Sequence, residues 1–156
     1  MTTIAWDGET LAADGRLCSS SGVLLSDSKN KIVKIKDNKK RKWHIAVSGN
    51  EPDITYLKNA LSGTNIKKTL LNLKQVLQDT AISDSFCAVV VSKKTQYMVF
   101  HDMSFSLLEC RDAFGSGGEF ALAAMSMGYN AIGAVRVASG LDLYTGGTIR
   151  SIQVTD

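Results

Sequence analysis

Proline is nearly missing from this chain: Pro52 is its one proline in 156 residues. Linkers between domains run to proline, glycine and polar tracts, and this chain has no low-complexity tract and no internal repeat. It reads as a single domain over residues 1–156. Cysteine is scarce and odd in number; Cys18, Cys87 and Cys110 lie far apart, which fits reduced thiols better than a disulfide frame. With two isolated histidines, His44 and His101, and no Cys-x-x-Cys pair, a structural zinc site is not expected. No apolar run is long enough to cross a bilayer, and the N-terminus lacks the charged-then-apolar layout of a signal peptide. A cytoplasmic protein with no membrane partner is expected. Charge imbalance is small, +3 from 18 basic and 15 acidic residues. Much of the excess lies between Lys29 and Lys42, where Lys39-Lys40-Arg41-Lys42 follow Asp37-Asn38. This run lacks the interleaved aromatics of a stacking platform, so it reads as a solvated hairpin tip, and no nucleic-acid partner is expected.

Some motifs of chemistry are missing too. There is no Gly-x-Ser-x-Gly for a serine hydrolase elbow and no ATP-binding motif. Gly115-Ser116-Gly117-Gly118 fails as a dinucleotide fingerprint, because Phe120 stands where the third glycine belongs. No cofactor is expected.

What remains is an ordinary globular composition, 44% apolar and 21% charged, long enough to bury a core. Thr3 to Trp6 and Thr10 to Ala13 flank Asp7-Gly8-Glu9 as a hairpin. Ser19 to Gly22 form a small-residue loop before Val23-Leu24-Leu25. Lys31 to Lys36 and Lys42 to Val47 form a second hairpin around Asp37-Asn38. Asn50-Glu51-Pro52-Asp53 open a helix through Ile54, Leu57 and Leu61, ending near Ser62-Gly63. A second amphipathic helix places Ile66, Leu70, Leu73, Val76 and Leu77 on one side. Strands are expected again at Phe86 to Val91, Gln96 to Phe100 and Ser106 to Cys110. Then Ala113 to Gly118 lead into a helix over Glu119 to Met127, another helix covers Asn130 to Ala138, and a last strand covers Thr148 to Val154. Strands, two helices, strands, two helices and a strand predict an α+β fold of two mostly antiparallel sheets packed face to face, each covered by a helix pair.

The chain starts Met1-Thr2-Thr3-Ile4. Methionine before a small residue is normally removed, which would expose Thr2 with a hydroxyl and a free α-amine on one residue. The amine can serve as base for the hydroxyl, because its ordinary pKa, about 7.7–8.0, leaves part of it neutral near pH 7. Many unrelated proteins start this way, so the pair of residues alone is also an ordinary processed terminus.

Five segments point further: Met1 to Ala5; Leu11-Ala12-Ala13-Asp14-Gly15-Arg16; Ser26 to Ile35; Gly115 to Gly118; and Leu141-Asp142-Leu143-Tyr144-Thr145-Gly146-Gly147. In this order, over nearly the whole chain, they resemble the proteasome β-subunit and HslV branch of the N-terminal nucleophile hydrolases, and most of all the short proteasome-like proteins of bacteria and their phages. The resemblance implies a four-layer αββα sandwich. It implies that Thr2 attacks a peptide carbonyl and forms an acyl-enzyme that water releases. Asp14 and Lys31 match the family's active-site acid and lysine, Ser116 the serine that helps position the α-amine, and Asp142 with Thr145 a supporting acid–hydroxyl pair. Family members usually carry glycine where Ala46 aligns, with its backbone N–H in the oxyanion hole; alanine keeps the donor and adds a methyl group. The implied partners are a peptide or unfolded protein as substrate, further copies of the chain in a homo-oligomeric ring, and a separate AAA+ ATPase that feeds it.

Without the resemblance, other readings of the same residues stay open. Asp14 also fits turn chemistry, Lys31 a strand lysine facing water, and Asp142-x-x-Thr145 an Asx turn. Gly115 to Gly118 fit either a tight strand-to-helix turn or a phosphate cradle. Three functions therefore stand at this point: a threonine peptidase or amidase, a proteasome-like structural or interaction protein with little activity, and a small-ligand binding domain.

Overall fold

The computed structural model describes residues 2–154, which group into two compact units. The first takes residues up to Ile32 and from Glu109 to Val154. Its sheet has the order β10-β1-β2-β11, with β1 Thr3–Trp6, β2 Thr10–Ala13, β10 Asp112–Gly115 and β11 Arg150–Gln153. All three pairings are antiparallel; Ile4 faces Ala13 across β1 and β2, and Thr3 faces Gly115 across β1 and β10. Asp7 closes the β1–β2 turn by accepting the N–H groups of Glu9 and Thr10.

Helices α4 (Gly118–Ser126) and α5 (Ala131–Leu141) cover one face of this sheet. Their contact is built from Ala5 and Ala12 of the sheet against Ala121, Ala124, Met125, Ala131, Ala134, Val135 and Ala138. Alanine lets helix and strand approach closely and favours the helix itself. Asn130 caps α5 by accepting the N–H of Gly133, and Asp7 accepts the N–H of Ala131 at 2.8 Å. A two-stranded ribbon, β3 (Leu17–Cys18) with β4 (Leu24–Ser26), completes the unit.

The second unit runs from Val33 to Leu108 among the described residues. Its sheet has the order β5-β6-β7-β8-β9, with β5 Ile32–Lys36, β6 Lys42–Ser48, β7 Cys87–Val91, β8 Gln96–Phe100 and β9 Phe105–Leu107. Trp43, Ile45 and Val47 alternate along β6 and share a core with Leu57, Leu61, Ile66, Leu70, Leu73 and Leu77 from the helical layer. His44, Ala46 and Ser48, on the opposite face of β6, are buried as well. Burial on both faces explains why β6 and β7 read as apolar runs rather than alternating strands.

Helix α1 (Glu51–Leu61) starts where expected, and Asp53 Oδ2 accepts the N–H of Asn50 at 2.9 Å. The second helix differs from its expectation. It breaks at Asn72 into α2 (Ile66–Leu71) and α3 (Leu73–Val76). Asn72 turns its amide back to the carbonyl of Lys68, and Val76 is 52% exposed. The last strand is also shorter than expected, because Thr148 N–H donates to the Asp27 carbonyl at 2.7 Å before β11 starts.

Candidate active site

Three neighbouring strands of the first unit end at the same edge of its sheet. Thr2 lies one residue before β1, Asp14 one residue after β2, and Ser116 one residue after β10. Gly115, the last residue of β10, has φ of 90°, a conformation that suits glycine and turns the chain toward α4. Asp142 caps the C-terminus of α5, and Thr145 follows in the next loop. That loop is tied to the strand ends: Gly15 N–H donates to the Gly146 carbonyl at 3.0 Å, and Arg16 reaches the Leu143 carbonyl at 3.1 Å while pairing with Asp27 at 2.9 Å.

Asp14 is 1% exposed and accepts four donors. Thr3 N–H and Lys31 Nζ meet its Oδ1 at 3.0 and 2.7 Å; Arg16 N–H and Gly146 N–H meet its Oδ2 at 3.3 and 3.1 Å. The lysine is buried too, at 7% exposure. This arrangement goes beyond a simple turn, and Lys31 does not face water. Burial pulls the Lys31 ammonium below its ordinary pKa, and the charge and hydrogen bond of Asp14 oppose that pull.

A second network lies beside the first. Thr145 Oγ1 donates to Asp142 Oδ2 at 2.5 Å, and Ser116 Oγ donates to the same oxygen at 2.6 Å. Thr3 Oγ1 lies 2.6 Å from Thr145 Oγ1. Since the Thr145 proton points to Asp142, the Thr3 hydroxyl is the donor in that pair. Burial raises the Asp142 pKa, but the hydrogen bonds from Ser116 and Thr145 outweigh it and hold the carboxyl below its ordinary value. Asp142 also accepts the N–H of Tyr144 in an Asx-type turn, so the structural and functional readings of this segment coexist.

Gly117 is needed for this packing. A Cβ there would collide with Thr3 Oγ1 and sit 2.8 Å from Thr145 Oγ1. Gly115 to Gly118 form a tight strand-to-helix turn, with Gly117 packed against these two hydroxyls.

Six of the seven expected site residues, Thr2, Asp14, Lys31, Ser116, Asp142 and Thr145, belong to the first unit. Thr3 joins both networks, one through its N–H and the other through its hydroxyl, and sequence reasoning passed over it. Ala46 belongs to the second unit, fully buried at mid-strand in β6 opposite Val89. The expected loss of Met1 lies outside the described residues. His44 is buried with neither ring nitrogen hydrogen-bonded. Burial, then Lys34 and Lys42, hold its pKa below the ordinary value. His101 is exposed in the turn after β8. Among the described residues no cluster of three metal-ligating side chains occurs, and no helix is long and apolar enough to cross a membrane.

Solved structures share this architecture. BPH from Thiobacillus denitrificans aligns with a TM-score of 0.75 at 18% identity, over 99% of this chain and 98% of that chain. The same protein in complex with epoxomicin aligns with a TM-score of 0.75 at 16% identity, over 99% of both chains. Eukaryotic HslV from Trypanosoma brucei aligns at 0.73, with 18% identity over 99% of both. The chain has the HslV-like N-terminal nucleophile hydrolase fold. The expected α+β class is thereby borne out, and the likeness at these identities is one of fold. No protein-family model matches the chain, and no curated protein matches it in sequence. Within the HslV-like fold, the strand edge that carries Thr2, Asp14 and Ser116 is where buried charge and hydroxyls concentrate.

Proposed function

We propose that this protein is an N-terminal threonine peptidase or amidase that works through an acyl-enzyme on Thr2, inside a ring of identical chains. The observation that carries this reading is the buried Lys31–Asp14 pair, 2.7 Å apart, with Asp14 also accepting the N–H of Thr3, the residue next to Thr2. A buried ion pair is a costly way to stabilise a fold, and this one is anchored directly beside a residue that becomes an N-terminal threonine once Met1 is removed.

The chemistry follows from the groups present. The α-amine of Thr2 takes the hydroxyl proton as Oγ1 attacks the scissile carbonyl, and the amine returns that proton to the leaving nitrogen. Water then attacks the ester and frees Thr2. A Lys31 ammonium nearby lowers the amine pKa and keeps more of it neutral, while Asp14 fixes the lysine by a charge-assisted hydrogen bond. Ser116, Asp142 and Thr145 form the hydroxyl network that orients the amine. Peptides or unfolded proteins are the substrate class, and any ATPase that delivers them is a separate protein.

Intact mass measured with and without epoxomicin, the ligand of the BPH complex, tests the reading. Loss of Met1 and one adduct per chain are expected; Thr2→Ala, which keeps a small residue after Met1, should lose the methionine and stay unlabelled. A retained Met1, or a processed chain that stays unlabelled, would leave the fold as a structural or interaction protein.

A further inference from the structure

The β5–β6 turn and the β7–β8 turn meet at one end of the second unit's sheet, since His44 pairs with Val91 across β6 and β7. Between them lies a cavity of about 320 Å³ lined by Lys40, Arg41 and Lys42 from one turn and by Lys93 and Lys94 from the other. Among the described residues no acidic side chain lines it. We propose that this cavity is a binding site for a small oligophosphate anion, separate from the Thr2 site and independent of any activity there.

Charge density is the first reason. Five basic residues line one concave space, which concentrates the potential and favours an anion with several charges. Among the described residues, Asp37 offsets Arg41 at 2.7 Å, but it is buried beneath the turn and does not line the space. Size is the second. The volume lies at the low end of small-molecule pockets, ~300–1,000 Å³, which suits two or three linked phosphates.

Preorganisation is the third. Asp37 Oδ1 accepts the N–H groups of Lys39 and Arg41, both at 2.9 Å, and Oδ2 accepts Arg41 Nε and Trp43 Nε1. Lys40 is held at φ 65°, a conformation rare for residues with a side chain. The opposite turn is closed by Ser92 and Thr95. Both backbones are thus fixed before a ligand arrives, which limits the ordering cost of binding.

The cavity suits a compact anion better than a nucleic-acid strand. Trp43, its aromatic wall, is 6% exposed, stacked on Tyr97 at 6.1 Å and hydrogen-bonded to Asp37. No ring face is left for a base, and stacking is what strand binders rely on.

Calorimetric titration of the full chain at fixed ionic strength tests this, with inorganic tripolyphosphate, inorganic phosphate, a nucleoside triphosphate and a single-stranded oligonucleotide as probes. Tripolyphosphate should bind once per chain, about tenfold or more tighter than phosphate. Removing two exposed cations, Lys42→Ala with Lys94→Ala, should weaken it about tenfold. Lys67→Ala with Lys68→Ala on α2 removes the same charge elsewhere and should change affinity less than about twofold. Equal affinity for tripolyphosphate and the nucleoside triphosphate identifies the phosphate chain as the recognised part; tighter nucleotide binding identifies a nucleotide as its source. Absence of saturable binding, equal losses in the two double variants, or preference for the oligonucleotide would each overturn the proposal.

Discussion

Asp14 and Lys31 show how far one residue's role depends on its neighbours. Removing the lysine leaves a carboxylate at 1% exposure without its counter-charge. Such losses cost about 3–5 kcal/mol, and the three backbone N–H groups on Asp14 place this case at the lower end. Urea denaturation of Lys31→Met should show that loss. The double variant Lys31→Met with Asp14→Asn should lose less than the sum of the singles, since neither partner is left charged. Strict additivity would mean the pair is not coupled. Both residues were singled out only by the family resemblance of the segments around them; residue type alone read Asp14 as turn chemistry and Lys31 as a strand lysine facing water. Thr3 was not singled out, because a threonine in a strand signals only a β-branched residue on a pleated surface. Its position shows only when the register places it against Gly115 and Thr145 closes over it.

At the scale of elements, α2 and α3 span 6 and 4 residues, too short to persist by helix propensity. They exist because Ile66, Leu70 and Leu73 are buried against the sheet. Leu73→Ala should therefore cost about 2–5 kcal/mol, whereas Val76→Ala, at 52% exposure, should stay within about 0.5 kcal/mol. Midpoint shifts at constant m-value would measure both; a large loss at Val76 would contradict its exposure. Periodicity could not reveal that break, since apolar spacing continues straight through it. Hairpin ends were easier to read, because Asp, Asn and Gly announce a turn, yet not what a turn carries. Asp37 shows the difference. Burial raises its pKa, but the hydrogen bonds from Arg41, Trp43 and Lys39 outweigh it and hold the carboxyl below its ordinary value. A group with a lowered folded pKa contributes stability above its unfolded pKa, about 3.9, and loses it as pH falls through the folded value. Wild type should melt higher than Asp37→Asn at pH 6, and the gap should close below about pH 4.

For the whole molecule, surface composition is informative where sequence was silent. Element order and the spaced motifs made the α+β class and the HslV-like fold readable, but they do not say which apolar residues the folded chain leaves outside. Phe120 and Met127 are seven residues apart on α4 and its cap, one face of the helix, and are 41% and 82% exposed. Leu141 and Leu143, at the end of α5 and just beyond, are 62% and 85% exposed. The ring proposal requires further copies of the chain as partner, and these exposed side chains are where such a contact would cover apolar surface. Sedimentation velocity should then find the wild type at a multiple of 16.8 kDa, and Phe120→Glu with Met127→Glu should shift it toward the single chain with unchanged circular dichroism. A wild type that sediments as one chain at micromolar concentration would remove the ring and leave the Thr2 chemistry to be judged by epoxomicin labelling alone.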